Sequence, residues 1–315
     1  MSIDPFADPA HLIPATSKLR RSRTVWRVLF FVALAIAVLA LVGRFAMEQG
    51  AVGDRVARID ISGTIFTDPA RLAAIDRIAE DPLVKAVIVS INSPGGTTAG
   101  GEELYEALGR LRAEKPVVSV IHELGASAAY MAAIGTDRIF ARRLSIVGSI
   151  GVLYQHVDAG KLLGTIGIDL DKVQTGPLKA EPDLDEPLTG NVRASLQALV
   201  DDSFEWFVDI VAERRELQRP QVLTLADGRI LTGRQGLEAR LIDAIGGETE
   251  ALDWLESEKD VAADLPVITY YPLPKDDWFS LSNLIEGATR GAFAGGAQAI
   301  ALDGLVSLWQ AGAAL

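Results

Sequence analysis

The sequence predicts an α/β domain, and three observations carry that prediction. Short β-branched runs alternate with helical patterns from residue 55 onward. Clusters of Gly, Pro, Asn and Asp punctuate them. The runs KAVIVSIN (85–92) and PVVSVI (116–121) are nearly continuous in apolar residues, as strands covered on both faces are.

Each element has its own local reason. RVARIDISGTI (55–65) alternates apolar and polar side chains and reads as a strand. Asp68 before Pro69 is an N-cap followed by proline in the first helical turn, opening a helix through Ala79. After the strand 85–92, SPGGTTAGG breaks the pattern, and EELYEALGRLRAE (102–114) is amphipathic and helical. The strand 116–121 precedes HELGASAAYMAA (122–133), whose small residues from Ala126 to about Gly135 predict a tightly packed helix. RIFA (138–141) and IVGSIGVLY (146–154) read as strands. Leu196, Leu199, Val200, Phe204, Phe207, Val208 and Val211 share one face of a long helix over 191–218. Residues 227–247 read as a turn, a short helix and a stop at paired glycines. VITYY (267–271) is a last strand, before an Ala/Gly-rich tail over 271–315.

The N-terminus departs from this pattern. Val28–Gly43 carries no charge and covers about 24 Å of a roughly 30 Å hydrocarbon core. Extended to residues 25–47 the run reaches about 34 Å, with Arg27 and Arg44 snorkelling to the interfaces. Lys18, Arg20, Arg21 and Arg23 crowd its N-terminal flank, so the positive-inside rule makes 1–24 a cytoplasmic tail. The reading is an uncleaved single-pass anchor over 25–47 and a linker over 48–54. The domain from 55 to 270 then lies on the outer side. A cleaved signal peptide is the competing reading, weakened by a poor small-residue cleavage signal after Gly43.

Composition excludes several functions. A net charge of −12 gives no concentrated basic surface for nucleic acid. The absence of cysteine removes thiolate catalysis, disulfides and zinc–thiolate sites. His11, His122 and His156 are the whole histidine complement, so a histidine-built metal site is not expected. GGTTAGG lacks the register of a dinucleotide fingerprint, and no cofactor is expected.

Two strand-to-turn junctions can carry chemistry. In INSPGG (91–96), Gly95 and Gly96 let bare backbone approach a ligand and turn N–H groups toward an anion. The same string also makes an ordinary turn before a helix. In HELGASAAY, Ser127 is either an N-cap or packing serine, or a nucleophile whose oxyanion would take a bond from the N–H of Ala128. A nucleophile needs a base. His122 and His156 are candidates, and so is Lys179 in QTGPLKAEPDLDEP. A lysine serves only if burial brings its pKa down from about 10.4 toward neutrality. Pro177 and Leu178 offer apolar cover, whereas Glu181 and Asp183 would hold an ammonium charged if they faced it.

The ordered set NSPGG, GASAAYMAA, VGSIGV, GPLKAEP and GRILTGRQGLEARLID resembles the signal peptide peptidase A (SppA) family of serine peptidases, in its single-repeat form, over about residues 55–260. The resemblance implies a Ser/Lys dyad with Ser127 as nucleophile and Lys179 as general base and acid. It implies Ser149 as the residue that orients the lysine, and Gly96 and Ala128 as oxyanion donors. It also implies a spiral of ββα units similar to Clp proteases and crotonases. A ring-like homo-oligomer with shared active sites follows, as do apolar signal-peptide substrates beside a bacterial inner membrane. The sequence departs from many members in carrying Ala128 and Ala129 where they have paired glycines. A Ser127/His156 peptidase and a non-catalytic peptide-binding scaffold are the alternatives. The tail is read as packing or membrane contact rather than as a product-like occupant of the active-site groove.

Overall fold

The structure, a computed structural model, describes residues 25–36, 38, 53–273 and the backbone of 306–308. The chain divides into two compact units, 1–53 and 54–315. In the first, helix α1 (residues 25–36) exposes apolar side chains including Phe30, Phe31 and Ile36. Among the described residues no helix is long and apolar enough to cross a membrane. Residues 37 and 39–47 of the expected anchor lie outside the described residues, as do the cytoplasmic tail 1–24 and most of the linker.

The second unit opens with β1 (Arg55–Ile65), α2 (Pro69–Glu80), β2 (Val84–Thr97), α3 (Thr98–Glu114), β3 (Val117–Ala126) and α4 (Ala128–Ile134). It continues with β4 (Arg138–Ala141), β5 (Ile146–Gly148), α5 (Gly160–Thr165), α6 (Gly190–Arg214) and α7 (Arg219–Leu225). Then follow β6 (Ile230–Thr232), α8 (Gly233–Glu238), β7 (Ala244–Ile245), α9 (Glu248–Lys259), β8 (Val267–Tyr271) and β9 (Val306–Leu308).

The strands form one sheet along the path β6-β5-β3-β2-β1-β8, with β4 against β3 and β7, and β9 against β2. All pairs are parallel except β5–β6 and β2–β9. The sheet forks along β3. Val118–Ile121 pairs with β4, whereas Leu124–Ala126 pairs with β5. That fork gives the residues just past Ala126 a different neighbour from those at the strand's start.

Alternation along the buried strands sends side chains to two cores. Val87, Val89 and Ile91 meet Ile78 of α2, Leu104 and Leu108 of α3, Met131 of α4 and Val208 of α6. Ala86, Ile88, Val118 and Val120 meet Ala251 and Leu255 of α9 on the other face. Helices cover both faces, which is why these strands are apolar throughout. Each fully buried Val, Leu or Ile contributes about 1.5–3 kcal/mol relative to exposure.

Several elements extend beyond the sequence reading. Helix α2 starts as expected, with an Asp68 carboxylate oxygen accepting from the N–H groups of Ala70 (2.8 Å) and Arg71 (3.2 Å). Helix α3 starts at Thr98 rather than 102, because Thr97 Oγ1 accepts from the Gly100 N–H at 3.1 Å. Strand β2 runs on through the SPGG stretch, since β1 and β9 continue its ladder there. Strand β3 likewise runs to Ala126, drawn on by β5. The strand expected over 146–154 stops at Gly148, where Gly148 (φ +89°) and Ser149 (φ +52°) leave the extended region. The segment 248–259 forms α9, capped by Glu250, which accepts from the Gly247 N–H at 2.6 Å.

Candidate active site

Ser127 occupies the joint between β3 and α4 with φ +59° and ψ −122°. A non-glycine residue there costs on the order of 1–3 kcal/mol, tolerated where the surroundings over-determine it. Two constraints do so. Strand β3 is held against β5 up to Ala126 opposite Gly148, and the Ser127 N–H donates to the Gly148 carbonyl at 2.9 Å. Immediately afterwards the Ser127 carbonyl accepts from the N–H groups of Tyr130 (2.8 Å) and Met131 (3.0 Å), closing the first turn of α4. The chain therefore changes from strand to helix within one residue. Such a turn presents a serine at the end of a buried strand, the arrangement used by nucleophile elbows. Ser127 occupies the N-cap position of α4, but its side chain makes no capping bond to the helix.

The small residues around Ser127 are steric requirements. A Cβ on Gly101 of α3 would stand 2.6 Å from Met131 Sδ and 3.0 Å from Ala128 Cβ. A Cβ on Gly125 would stand 2.8 Å from Ile121 Cγ2. Helix α4 is buried throughout and packs with α3 and the sheet strands, and Gly101 of α3 faces Ala128 and Met131 too closely to carry a side chain.

The other sequence-derived residues gather by strand pairing. Ser93 on β2 pairs with Gly125, which puts Gly95 level with Ser127 and Gly96 just past it on the adjacent strand. Gly96 lies so close to β1 that an added Cβ would stand 1.8 Å from the Ile65 carbonyl oxygen. Ser149 follows Gly148, the partner of Ala126, and so emerges beside Ser127; it is 8% exposed and its N–H donates to the Arg229 carbonyl at 2.8 Å. Ala128 is the first residue of α4. Ser127, Ser149, Gly96 and Ala128 thus share one end of the sheet.

Lys179 is placed differently. It lies on an exposed turn in the long excursion between β5 and α6, with its N–H donating to Gly176 O at 3.0 Å. The two carboxylates of its loop are committed elsewhere. Glu181 and Asp183 both pair with Lys172, and those contacts, Asp183 first, raise the Lys172 pKa. They do not clamp Lys179. The two histidines among the described residues are engaged too. His156 Nε2 is 2.8 Å from the Glu186 carbonyl, and His122 Nε2 is 3.1 Å from Ser90 Oγ.

One residue escaped the sequence reading. Ser93 is fully buried, donates from Oγ to Gly63 O at 2.6 Å and accepts from the Gly95 N–H at 3.1 Å. It fixes the glycine turn from beneath. Its only sequence signal is its place inside NSPGG, which a turn reading explains equally well. Among the described residues no group of acidic or histidine side chains could hold a metal ion.

The model of Peptidase family S49 matches residues 109–262. A protein of Synechocystis sp., slr0021, provisionally named a protease, is 37% identical over 202 residues, covering 64% of this chain and 73% of the relative. The chain belongs to Peptidase family S49. An Enterococcus faecium protein provisionally named signal peptide peptidase SppA is 29% identical over 238 residues, covering 71% of this chain and 69% of its own. Family S49 membership agrees with the SppA resemblance read from the five motifs, four of which fall wholly inside the matched region. Among solved structures, a ClpP1 variant from Listeria monocytogenes is similar at a TM-score of 0.41 and 14% identity, over 60% of this chain and 91% of that one.

Proposed function

We propose that this S49 member is a membrane-anchored serine endopeptidase in which Ser127 and Lys179 form the catalytic dyad. The observation that carries the reading is the Ser127 turn, flanked by the Gly95–Gly96 segment on one side and Ser149 on the other. In the reaction, uncharged Lys179 takes the hydroxyl proton as Ser127 Oγ bonds to a peptide carbonyl carbon. The N–H groups of Gly96 and Ala128 receive the oxyanion. As the C–N bond breaks, the lysine returns the proton to the leaving amine, leaving an ester on Ser127. Water, deprotonated by the same amine, cleaves the ester and restores Ser127. Ser149 holds the lysine amine in line.

The dyad is assembled between copies of the chain. The excursion that carries Lys179 exposes apolar side chains along its length, among them Val157, Leu162, Ile166, Val173, Leu178 and Leu184. Exposed apolar side chains of this number suit an interface, and a neighbouring copy that covers them would supply the burial an uncharged amine needs. The assembly is a closed ring of ββα-spiral subunits, with residues 55–270 as the peptidase domain. The substrates are apolar peptides, remnant signal peptides foremost, reached through an anchor over 25–47 in a bacterial inner membrane with the peptidase domain on the periplasmic side.

Three variants of the full chain test this with an apolar fluorogenic peptide. Ser127→Ala and Lys179→Ala should each abolish cleavage, while His156→Ala should retain it. Mixing the two inactive variants before assembly should restore part of the activity, because an intact Ser127 can then meet an intact Lys179 across a boundary. Full turnover by Lys179→Ala would remove the dyad, and loss in both Ser127→Ala and His156→Ala with Lys179→Ala still active would replace it with a Ser/His peptidase.

A further inference from the structure

Strand β9 lies on the part of β2 nearest Ser127. It pairs antiparallel with Gly95, Gly96 and Thr97, through Leu308, Ser307 and Val306 respectively. Each strand has two edges, and the pairings fix which one β9 takes. Strand β1 holds one edge of β2 through Gly95 and Gly96, opposite Thr64 and Ile65. Strand β3 holds the other edge as far as Ser93, opposite Gly125, and then turns away at Ser127 into α4. The edge of β2 beyond Ser93 is thereby vacated on the Ser127 side, and β9 fills it.

That vacated edge is what an extended peptide would use. Antiparallel addition to a free strand edge supplies main-chain hydrogen bonds irrespective of sequence, and the ligand then runs past the residues that follow on the neighbouring strand. Here the neighbouring strand ends at Ala126, and Ser127 follows it. The occupying segment also has the chemistry expected of a substrate. LVSL (305–308) is apolar at three of its four residues.

We propose that Val306–Leu308 is an autoinhibitory strand that occupies the peptide-binding edge of β2 and must leave before a substrate can dock. The proposal rests on the peptidase reading for the meaning of "substrate", but its geometry stands on the pairing alone. A tethered strand competes as a ligand at high local concentration, so its removal lowers KM and leaves kcat unchanged.

The test uses the full chain, a chain ending at Gly304, and Ser307→Pro, whose proline lacks the N–H a ladder requires. Each is made with native Ser127 and with Ser127→Ala. On the Ser127→Ala background, anisotropy of a fluorescent apolar decapeptide should show at least about threefold tighter binding for both tail variants, the scale expected when an intramolecular competitor is lost. On the native background, kcat/KM should rise by a similar factor through KM. A synthetic peptide of residues 303–312 should inhibit the shortened chain competitively. Equal peptide affinity in all three Ser127→Ala chains would overturn the proposal, whether or not the native chains cleave. Tighter binding without cleavage would leave the autoinhibitory strand standing and count against the peptidase reading instead.

Discussion

Replacing Gly96 by alanine perturbs the candidate site at a point where the geometry sets the size of the effect. The added Cβ would stand 1.8 Å from the Ile65 carbonyl oxygen and 2.5 Å from the Ile65 carbonyl carbon and nitrogen. All three are backbone atoms of a paired strand, so no side-chain rotation relieves the clash. Strands β1 and β2 must separate locally, at the end of the sheet that holds Ser127. Overpacking costs typically about 1–3 kcal/mol, and a backbone-only clash belongs at the upper end. For a unit of this size, about 3 kcal/mol lowers Tm by roughly 6–12 °C. The Gly96 N–H would move with the strand, and under the proposed mechanism the loss of this oxyanion donor costs about 10²–10³ in kcat. The control is Gly109→Ala in α3, where an added Cβ meets nothing within 4 Å. There the helix should gain up to about 1 kcal/mol. Thermal unfolding and peptide cleavage are measured on both variants. Wild-type Tm and kcat in Gly96→Ala would refute the claim that this contact positions the glycine turn.

Three further outcomes follow from the same reasoning. Ser93→Ala removes the bridge between Gly63 O and Gly95 N; the buried Gly95 N–H then loses its acceptor, at a cost of about 1–3 kcal/mol, and urea unfolding together with a reduced kcat should report the loss. Tyr130 is buried in α4 and its hydroxyl donates to the Leu241 carbonyl at 2.7 Å; Tyr130→Phe should cost about 1–3 kcal/mol by urea titration, with Ser127 labelling retained. The Asp68 carboxyl is held below its ordinary range by the Tyr271 hydroxyl and by the Arg71 and Ala70 N–H groups, against desolvation. Its contribution to stability is therefore complete above about pH 4 and is lost as the pH falls through the lowered folded value. Asp68→Asn should flatten the decline in the urea midpoint between about pH 5 and pH 2.5.

The sequence was most legible where one local rule decided the outcome. Alternation in 55–65 and the Asp68–Pro69 pair located β1 and the start of α2, because strand period and capping act within a few residues. Ser127 could be nominated from its small neighbours, but not distinguished from a capping serine. That distinction needed its φ of +59°, which arises from β5 pairing across a gap in sequence. For the same reason the reach of β2 through Pro94–Thr97 was invisible: β1 and β9, one before it and one far after, create it. The role of Ser93 was hidden because its acceptor, Gly63 O, belongs to another strand. Lys179 lies at the opposite extreme. Its motif marked it, yet the single chain leaves it exposed, since its burial is proposed to come from another copy.

The central claim is that Ser127 Oγ carries the acyl group. Peptide mapping by mass spectrometry after treatment with a fluorophosphonate probe tests it most directly. The account predicts one adduct, on Ser127, accumulating in step with loss of peptide cleavage and absent from Ser127→Ala. Unmodified Ser127 in a preparation whose cleavage the probe has abolished, with the adduct on another residue, would contradict it.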